Sequence, residues 1–231
     1  MAQAPRQARR GGKTRFAGRK DDPPEVRLSK TLAYALRHGA EDLRLDMRPS
    51  GYVPLDQLLS LPLFKSFSEE QVASVVQTNS KKRFSMTTDA TGARTFIRAN
   101  QGHSLQLVQD DELLSPLEDP SAVEKCIHGT YLRFWPSILD KGLCKMQRNH
   151  IHFAEREAVD EQVVSGMRGD CNLLLYLDFA TAVRDGIKFY RSSNNVVLSP
   201  GAGQDGVIDK KYFLRAVKRD GTVVYERERE L

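Results

Sequence analysis

The sequence predicts an α+β protein built in two parts, and three observations predict it. The first hundred residues read as helices followed by a hairpin. The stretch QDDELLSPLEDP is acidic and carries two prolines, and short strand-like runs dominate the remainder of the chain. With 231 residues the chain is long enough for two small cores. The expected division is a basic tail over 1–22, a helix-and-hairpin domain over 23–112, a linker over 113–120 and an α+β domain over 121–231.

In DDPPEVRLSKTLAYALRHG, Asp22 is expected to cap the helix, Pro23 suits its first turn and Glu25 completes a capping box. Leu28, Leu32, Ala35 and Leu36 share one face, and Gly39 is placed for a left-handed stop. A turn at Pro49-Ser50-Gly51 leads to a short helix around Leu55 to Leu59. Next, SEEQVASVVQTN sets Ser68 and Gln71 at capping-box spacing and points Val72, Val75 and Val76 inward. RFSMTT and RTFIRAN are strand-like and joined by Asp89 to Ala93, with Gly92 in the turn. Helices closed by a hairpin over about ninety residues are the pattern of a winged-helix module.

Beyond the junction, KCIHGTY, HIHFA, NLLLYLDF, GIKFY and NNVVLS read as strands, as do FLRAVKR and GTVVYER around Asp220-Gly221. One helix, FWPSILDKG, sits between the first two, and there is no internal repeat. In PGAGQDG, Gly201, Gly203 and Gly206 satisfy the G-x-G-x-x-G pattern of a dinucleotide loop after the run Val196-Val197-Leu198. Only 25 residues follow Gly206, fewer than the ~30 that one βαβ unit needs. These glycines are expected to form a loop between strands.

Composition narrows the function classes. Hydrophobic residues make up 40% of the chain, and no run approaches the ~18 apolar residues of a membrane span. The start of the chain lacks the apolar stretch of a secretory signal, so no membrane partner is expected. Cys126, Cys144 and Cys171 are odd in number and widely spaced, and read as buried, reduced thiols of an intracellular protein. Cytoplasmic and nuclear sites both fit, and a monomer is expected. The net charge of +5 averages two unlike parts. Residues 1–20 hold seven Lys or Arg and no acid, which leaves 28 basic against 30 acidic residues, a net of −2, in the rest. Any basic binding surface on the body must therefore be a local cluster. The tail reads either as a disordered solubilising arm or as an unspecific attractor of polyanions.

The five histidines stand near glycine, arginine or another histidine. Arg37 and His38 close the first helix. They read either as a cationic helix end, worth ~0.3–1 kcal/mol, or as a phosphate grip with two parallel guanidinium bonds and an imidazole able to pass a proton near neutral pH. Lys81, Lys82 and Arg83 are a solvated turn or a second cationic contact; by alternation Arg83 and Ser85 share a face opposite Phe84 and Met86. The run Asn100, Gln101, Gly102, His103, Ser104 is dense in polar groups, and Gly102 permits close backbone approach. His128, Gly129 and Thr130 fall at a strand end. MQRNHIHF supplies Arg148, then His150 and His152 on one face of a strand with Ile151 and Phe153 on the other. His-x-His could be two metal ligands, but no third stands nearby, and no metal is expected.

LSKTLAYALRHGA, KKRF, IRANQGHS, HGT, WPSILDKGL, MQRNHIHFA and NNVVLSPG followed by DG, in that order and spacing, closely resemble the tRNA 2′-phosphotransferase family from about Val26 to Lys211. This is an RNA-processing branch of the ADP-ribosyltransferase fold. The resemblance implies an N-terminal winged-helix domain that meets RNA and a C-terminal ADP-ribosyltransferase-like domain that holds NAD⁺ as co-substrate. The RNA 2′-phosphate attacks the nicotinamide ribose and displaces nicotinamide. The neighbouring ribose hydroxyl then attacks phosphorus, which frees 2′-hydroxyl RNA and ADP-ribose cyclic phosphate.

The family's Arg-His-Arg-Arg set maps onto Arg37, His38, Arg83 and Arg148. His128, Gly129 and Thr130 resemble its first NAD-contacting motif, with Ser137 and Gly142 lining the same cleft and His152 in the cofactor pocket. Lys82, Gln101, Gly102, His103 and Ser104 would meet the substrate phosphate or RNA. Asn194 and Asn195 precede a strand that carries a hydrophobic residue where other ADP-ribosyltransferases place a catalytic glutamate. Two competing readings are ADP-ribosylation of terminal nucleic-acid phosphates and an RNA-binding module with a vestigial NAD⁺ pocket.

Overall fold

The computed structural model describes residues 21–157 and 165–228. All but the last two residues of the basic tail lie outside the described residues. Helix α1 (Pro24–Arg37) buries Leu28, Leu32, Ala35 and Leu36, as the apolar spacing requires. Its expected cap is corrected. Pro23 occupies the N-cap and Pro24 the first turn, and Asp22 instead accepts a bond from Lys30 Nζ at 2.9 Å. Pro24 holds the preceding Pro23 in an extended conformation, φ −50° and ψ 144°, so the helix cannot start directly after Asp22. Gly39 is also not the left-handed stop. His38 ends the helix at φ −133°, and Gly39 provides room instead, since a Cβ there would lie 2.9 Å from the Tyr34 ring.

Strand β1 (Val53–Pro54) runs into α2 (Leu55–Ser60), and a 3-10 turn over Pro62–Phe64 leads to α3 (Glu69–Thr78). The expected capping box is present: Gln71 N donates to Ser68 Oγ at 3.3 Å and Ser68 N to Gln71 Oε1 at 2.9 Å. β2 (Phe84–Thr88) and β3 (Thr95–Ala99) pair antiparallel with Phe84 opposite Ala99, and β1 adds to the other edge of β3. Helices and sheet enclose a core around Leu32, Leu36, Val53, Phe64, Val72 and Ile97. Val196 and Leu198, a hundred residues further on, complete it.

The acidic junction holds an unexpected turn of helix, α4 (Asp110–Leu113), and β4 (Ser115–Pro116). Then come β5 (Cys126–Thr130), α5 (Trp135–Lys141), β6 (Leu143–Cys144), β7 (Ile151–Phe153), β8 (Leu173–Leu177), α6 (Phe179–Arg184), β9 (Tyr190–Arg191), β10 (Val197–Ser199), β11 (Val207–Ile208), β12 (Phe213–Lys218) and β13 (Val223–Glu226). Two antiparallel sheets result, in the orders β4-β9-β10-β7 and β13-β12-β8-β5, with β6 and β11 as a separate pair. The sheets meet where Ile127 and Ala154 exchange backbone hydrogen bonds at 2.9 and 2.8 Å. A second core packs around Phe153, Leu173, Leu175, Phe189, Val197 and Phe213. The molecule is α+β.

Two strand expectations change. Phe179 opens α6 and does not extend β8, because Asp178 accepts from Thr181 N at 3.1 Å and caps a helix. GIKFY contributes only Tyr190 to a strand, opposite Leu198. Cys126 and Cys171 are buried free thiols, whereas Cys144 is half-buried on a two-residue strand. The glycine string forms the β10–β11 loop, with Gly201, Gly203 and Gly206 all at positive φ and Gly201 packed on the Gly206 backbone. Among the described residues no helix is long and apolar enough to cross a membrane.

Candidate active site

Three segments bring cations to the junction of the two cores. The end of α1 supplies Arg37 and His38, the turn before β2 supplies Arg83, and the loop before β7 supplies Arg148. Gly102, at φ +87°, adopts a backbone conformation that favours glycine, and the Arg37 guanidinium lies alongside it. Arg37 Nε and Nη2 are buried without a hydrogen-bond partner. Burial, then Arg148 and Arg83, push the Arg37 pKa down to about 10, so it stays charged at neutral pH. Arg83 is lowered by burial, and Arg148 by burial and by Arg168. Among the described residues no carboxylate acts on any of the three. Unpaired buried charge costs stability, and the charge of this cluster is complementary to that of an anion.

Imidazoles line the same place. His38 Nδ1 lies 2.9 Å from Ser104 Oγ, and Ser104 N donates to Arg37 O at 3.0 Å, which ties the helix end to the segment after β3. Burial, then Arg37 and Arg148, lower the His38 pKa. His152 Nε2 lies 2.8 Å from the Gln101 side chain and 3.4 Å from Arg148 Nη1, while Nδ1 donates to His150 O at 3.0 Å. Burial and the surrounding cations, Arg148 first, hold His152 well below its ordinary range and therefore neutral. His128 donates from Nδ1 to His152 O at 2.9 Å. Burial lowers its pKa while that bond opposes the shift. Its Nε2 is then a lone-pair acceptor with no partner among the described residues. Next to it, Gly129 is required by packing. A Cβ there would strike Met167 Cγ and come within 2.9 Å of Cys171 Sγ.

The remaining expected site residues differ in their surroundings. His103 is 3% exposed, its Nε2 is unpartnered and faces Gly51, and burial and nearby cations push its pKa down to about 3. It lies in the interior of the structure. Gln101 is likewise buried, under His152. Lys82 is exposed beside Arg83, at φ +43°. Thr130 is buried at the end of β5. Ser137 is exposed on α5 and bonds to nothing described, and Gly142 backs onto β11, where a Cβ would meet Val207 at 2.6 Å and Ile208 O at 2.7 Å. Gly142 is explained by packing. Two contributors escape a reading of the sequence: Arg168, in a loop with no periodic signal, and Asp110, which bonds His150 Nε2 at 2.9 Å. Among the described residues no group of three or more His, Cys, Asp or Glu is placed to hold a metal ion.

The pattern described as RNA 2′-phosphotransferase, Tpt1 / KptA family, matches residues 23–201, which include every cation and imidazole of the cluster. The chain belongs to the RNA 2′-phosphotransferase family. It is 48% identical over 211 residues to tRNA 2′-phosphotransferase 1 of Bos taurus, which covers 90% of this chain and 82% of that one. Against the Homo sapiens protein of the same name the identity is 46%, over 92% of this chain and 84% of that one. The tRNA 2′-phosphotransferase of Saccharomyces cerevisiae is 36% identical over 77% and 80% of the two chains. As a family member the chain is an enzyme of the transferase class, and its junctional cluster is the candidate site for that transfer.

Proposed function

We propose that this protein is an NAD⁺-dependent RNA 2′-phosphotransferase acting as a monomer on the internal 2′-phosphate at a tRNA splice junction. The products are 2′-hydroxyl RNA, nicotinamide and ADP-ribose 1″,2″-cyclic phosphate, formed through an ADP-ribosylated RNA intermediate. One observation carries the reading: three guanidiniums and an imidazole share a junction where no described carboxylate neutralises them. The tRNA preference rests on the names of the relatives. In this reading residues 23–112 are a winged-helix domain that meets RNA, and 121–231 an ADP-ribosyltransferase-like domain.

Each residue has a physical task. Arg37, with two buried unpaired nitrogens, grips the 2′-phosphate, and Arg83 and Arg148 fix it from the other sides. A dianionic phosphate is already nucleophilic, so orientation is what it needs. As charge gathers on the phosphoryl oxygens in the second step, the same fixed donors stabilise it. His38, set by Ser104, gives a proton to the departing RNA oxygen. NAD⁺ supplies the electrophilic ribose carbon and the nicotinamide leaving group. His128 suits it, since an imidazole with Nδ1 committed to His152 O presents Nε2 to a ribose hydroxyl. His152, with Nε2 3.4 Å from Arg148 Nη1, positions that guanidinium.

The test is to mix a 2′-phosphorylated oligonucleotide with NAD⁺ and follow nicotinamide and the labelled phosphate. Cyclic phosphate and a 2′-hydroxyl strand are expected. A stable ADP-ribosylated strand would reduce the activity to the first step, and silence would leave only RNA binding.

A further inference from the structure

Arg83 differs from the other cations in how it is held. Its guanidinium makes no hydrogen bond to the protein among the described residues, so packing and the course of its backbone set where it points. That backbone is a strained turn, with Lys82 at φ +43°. Its own half of the molecule grips part of it. Arg83 N donates to Asn79 Oδ1 at 3.2 Å, Asn100 Nδ2 donates to Lys82 O at 2.7 Å, and Asn100 N donates to Arg83 O at 2.9 Å.

The other half of the molecule grips the rest. Asn194 Nδ2 donates to Lys81 O at 2.9 Å across 113 positions of sequence, and Ser165 Oγ donates to the same carbonyl at 3.3 Å. Lys81 Nζ returns a bond to Met167 O at 2.8 Å. Asn194 is itself immobilised: it is 7% exposed, and its Oδ1 accepts from Ser192 Oγ at 2.8 Å. Ser192 is in turn tied to Val196 N at 3.1 Å, and the turn is completed by Asn195 at φ +57°. A buried amide whose two ends are both occupied has one available geometry, and that geometry fixes Lys81 O.

We infer that Asn194 is a positioning residue for the transfer: by holding the Lys81 carbonyl it sets Arg83 against Arg37 and Arg148 across the boundary between the two cores. The inference rests on the reading of Arg83 as a phosphate ligand. It assigns to the segment before β10 a role in catalysis without substrate contact. Loss of the amide frees one side of the turn, and the guanidinium drifts from the phosphate while the pocket for NAD⁺ on β5 is untouched.

The experiment is a double-mutant cycle with a 2′-phosphorylated oligonucleotide and NAD⁺. Asn194→Ala is expected to lower kcat about tenfold or more, in line with the cost of small misplacements, with the KM for NAD⁺ within about twofold of wild type. In an Arg83→Ala background the same change is expected to have no further effect. A folded Asn194→Ala enzyme with wild-type kcat, or losses that multiply in the double variant, overturns the inference. Undiminished activity of Arg83→Ala alone instead overturns the assignment of the phosphate ligands. If the alanine variant melts at low temperature, the isosteric Asn194→Asp carries the same cycle, and the same two results decide it.

Discussion

Arg227 and Arg37 belong to one chain and have opposite surroundings. Arg227 donates to Asp178 at 2.7 Å on the flank of the second half; nearby Lys211 donates to Asp185 at 2.9 Å, and Arg191 pairs with Glu155. Arg37 faces Arg83 and Arg148, and two of its nitrogens are buried with no partner. The flank is satisfied as it stands, and its pairs contribute little because solvent screens them. The junction offers Arg37 Nε and Nη2 no such partner among the described residues. Cation count therefore says nothing about function in this protein, and the absence of described acids around three guanidiniums says a great deal.

The largest effect expected to sharpen this contrast comes from Arg37→Ala. Turnover of a 2′-phosphorylated oligonucleotide should fall about a hundredfold or more, while thermal stability stays level or rises as like charges are thinned. A variant that melts several degrees lower and keeps its turnover would break the contrast. His103 gives the junction an acid signature. Its folded pKa of about 3 lies below the unfolded value near 6.5. The stability gained by keeping it neutral is complete above pH 6.5 and is lost as pH falls toward 3, at about 1.4 kcal/mol per pH unit. Urea titrations at pH 7, 6 and 5 should show stability falling with pH, with His38, His128 and His152 adding in the same direction, and His103→Gln should make the fall shallower.

A smaller effect is expected from inorganic phosphate. It should stabilise the protein by about 1.4 kcal/mol at ten times its Kd, less as salt rises, and not at all in Arg37→Ala. Differential scanning with and without phosphate reads this directly. Smallest is the flank. Arg227→Ala should cost about 1 kcal/mol or less and leave turnover unchanged; a loss of turnover there would erase the distinction between the two regions.

Much of the first half is legible without coordinates. The α1 face, the Ser68–Gln71 capping box and the β2–β3 hairpin all depend on residues within a few positions of one another. The glycine string, expected as a loop between strands, forms the β10–β11 loop. The misses have local and distant causes. Asp22 loses the cap because two prolines follow it, and Phe179 leaves its strand because Asp178 caps a helix. Lone short strands such as β9 depend on the partner they pair with and show little periodicity. In the site, resemblance places Arg37, His38, Arg83 and Arg148, but the interior position of His103 and the packing role of Gly142 emerge only from burial and close contacts.

Spacing alone thus suffices for which faces are apolar, where helices are capped and where charge is concentrated, because each of these is decided within one or two turns of chain. Folding in three dimensions decided the rest. It carried Val196 and Leu198 into the first core, brought the Asn194 amide to a carbonyl 113 residues away, and left three guanidiniums together with no described acid beside them. Such contacts arise from the path of the whole chain, and no local pattern of residues encodes them.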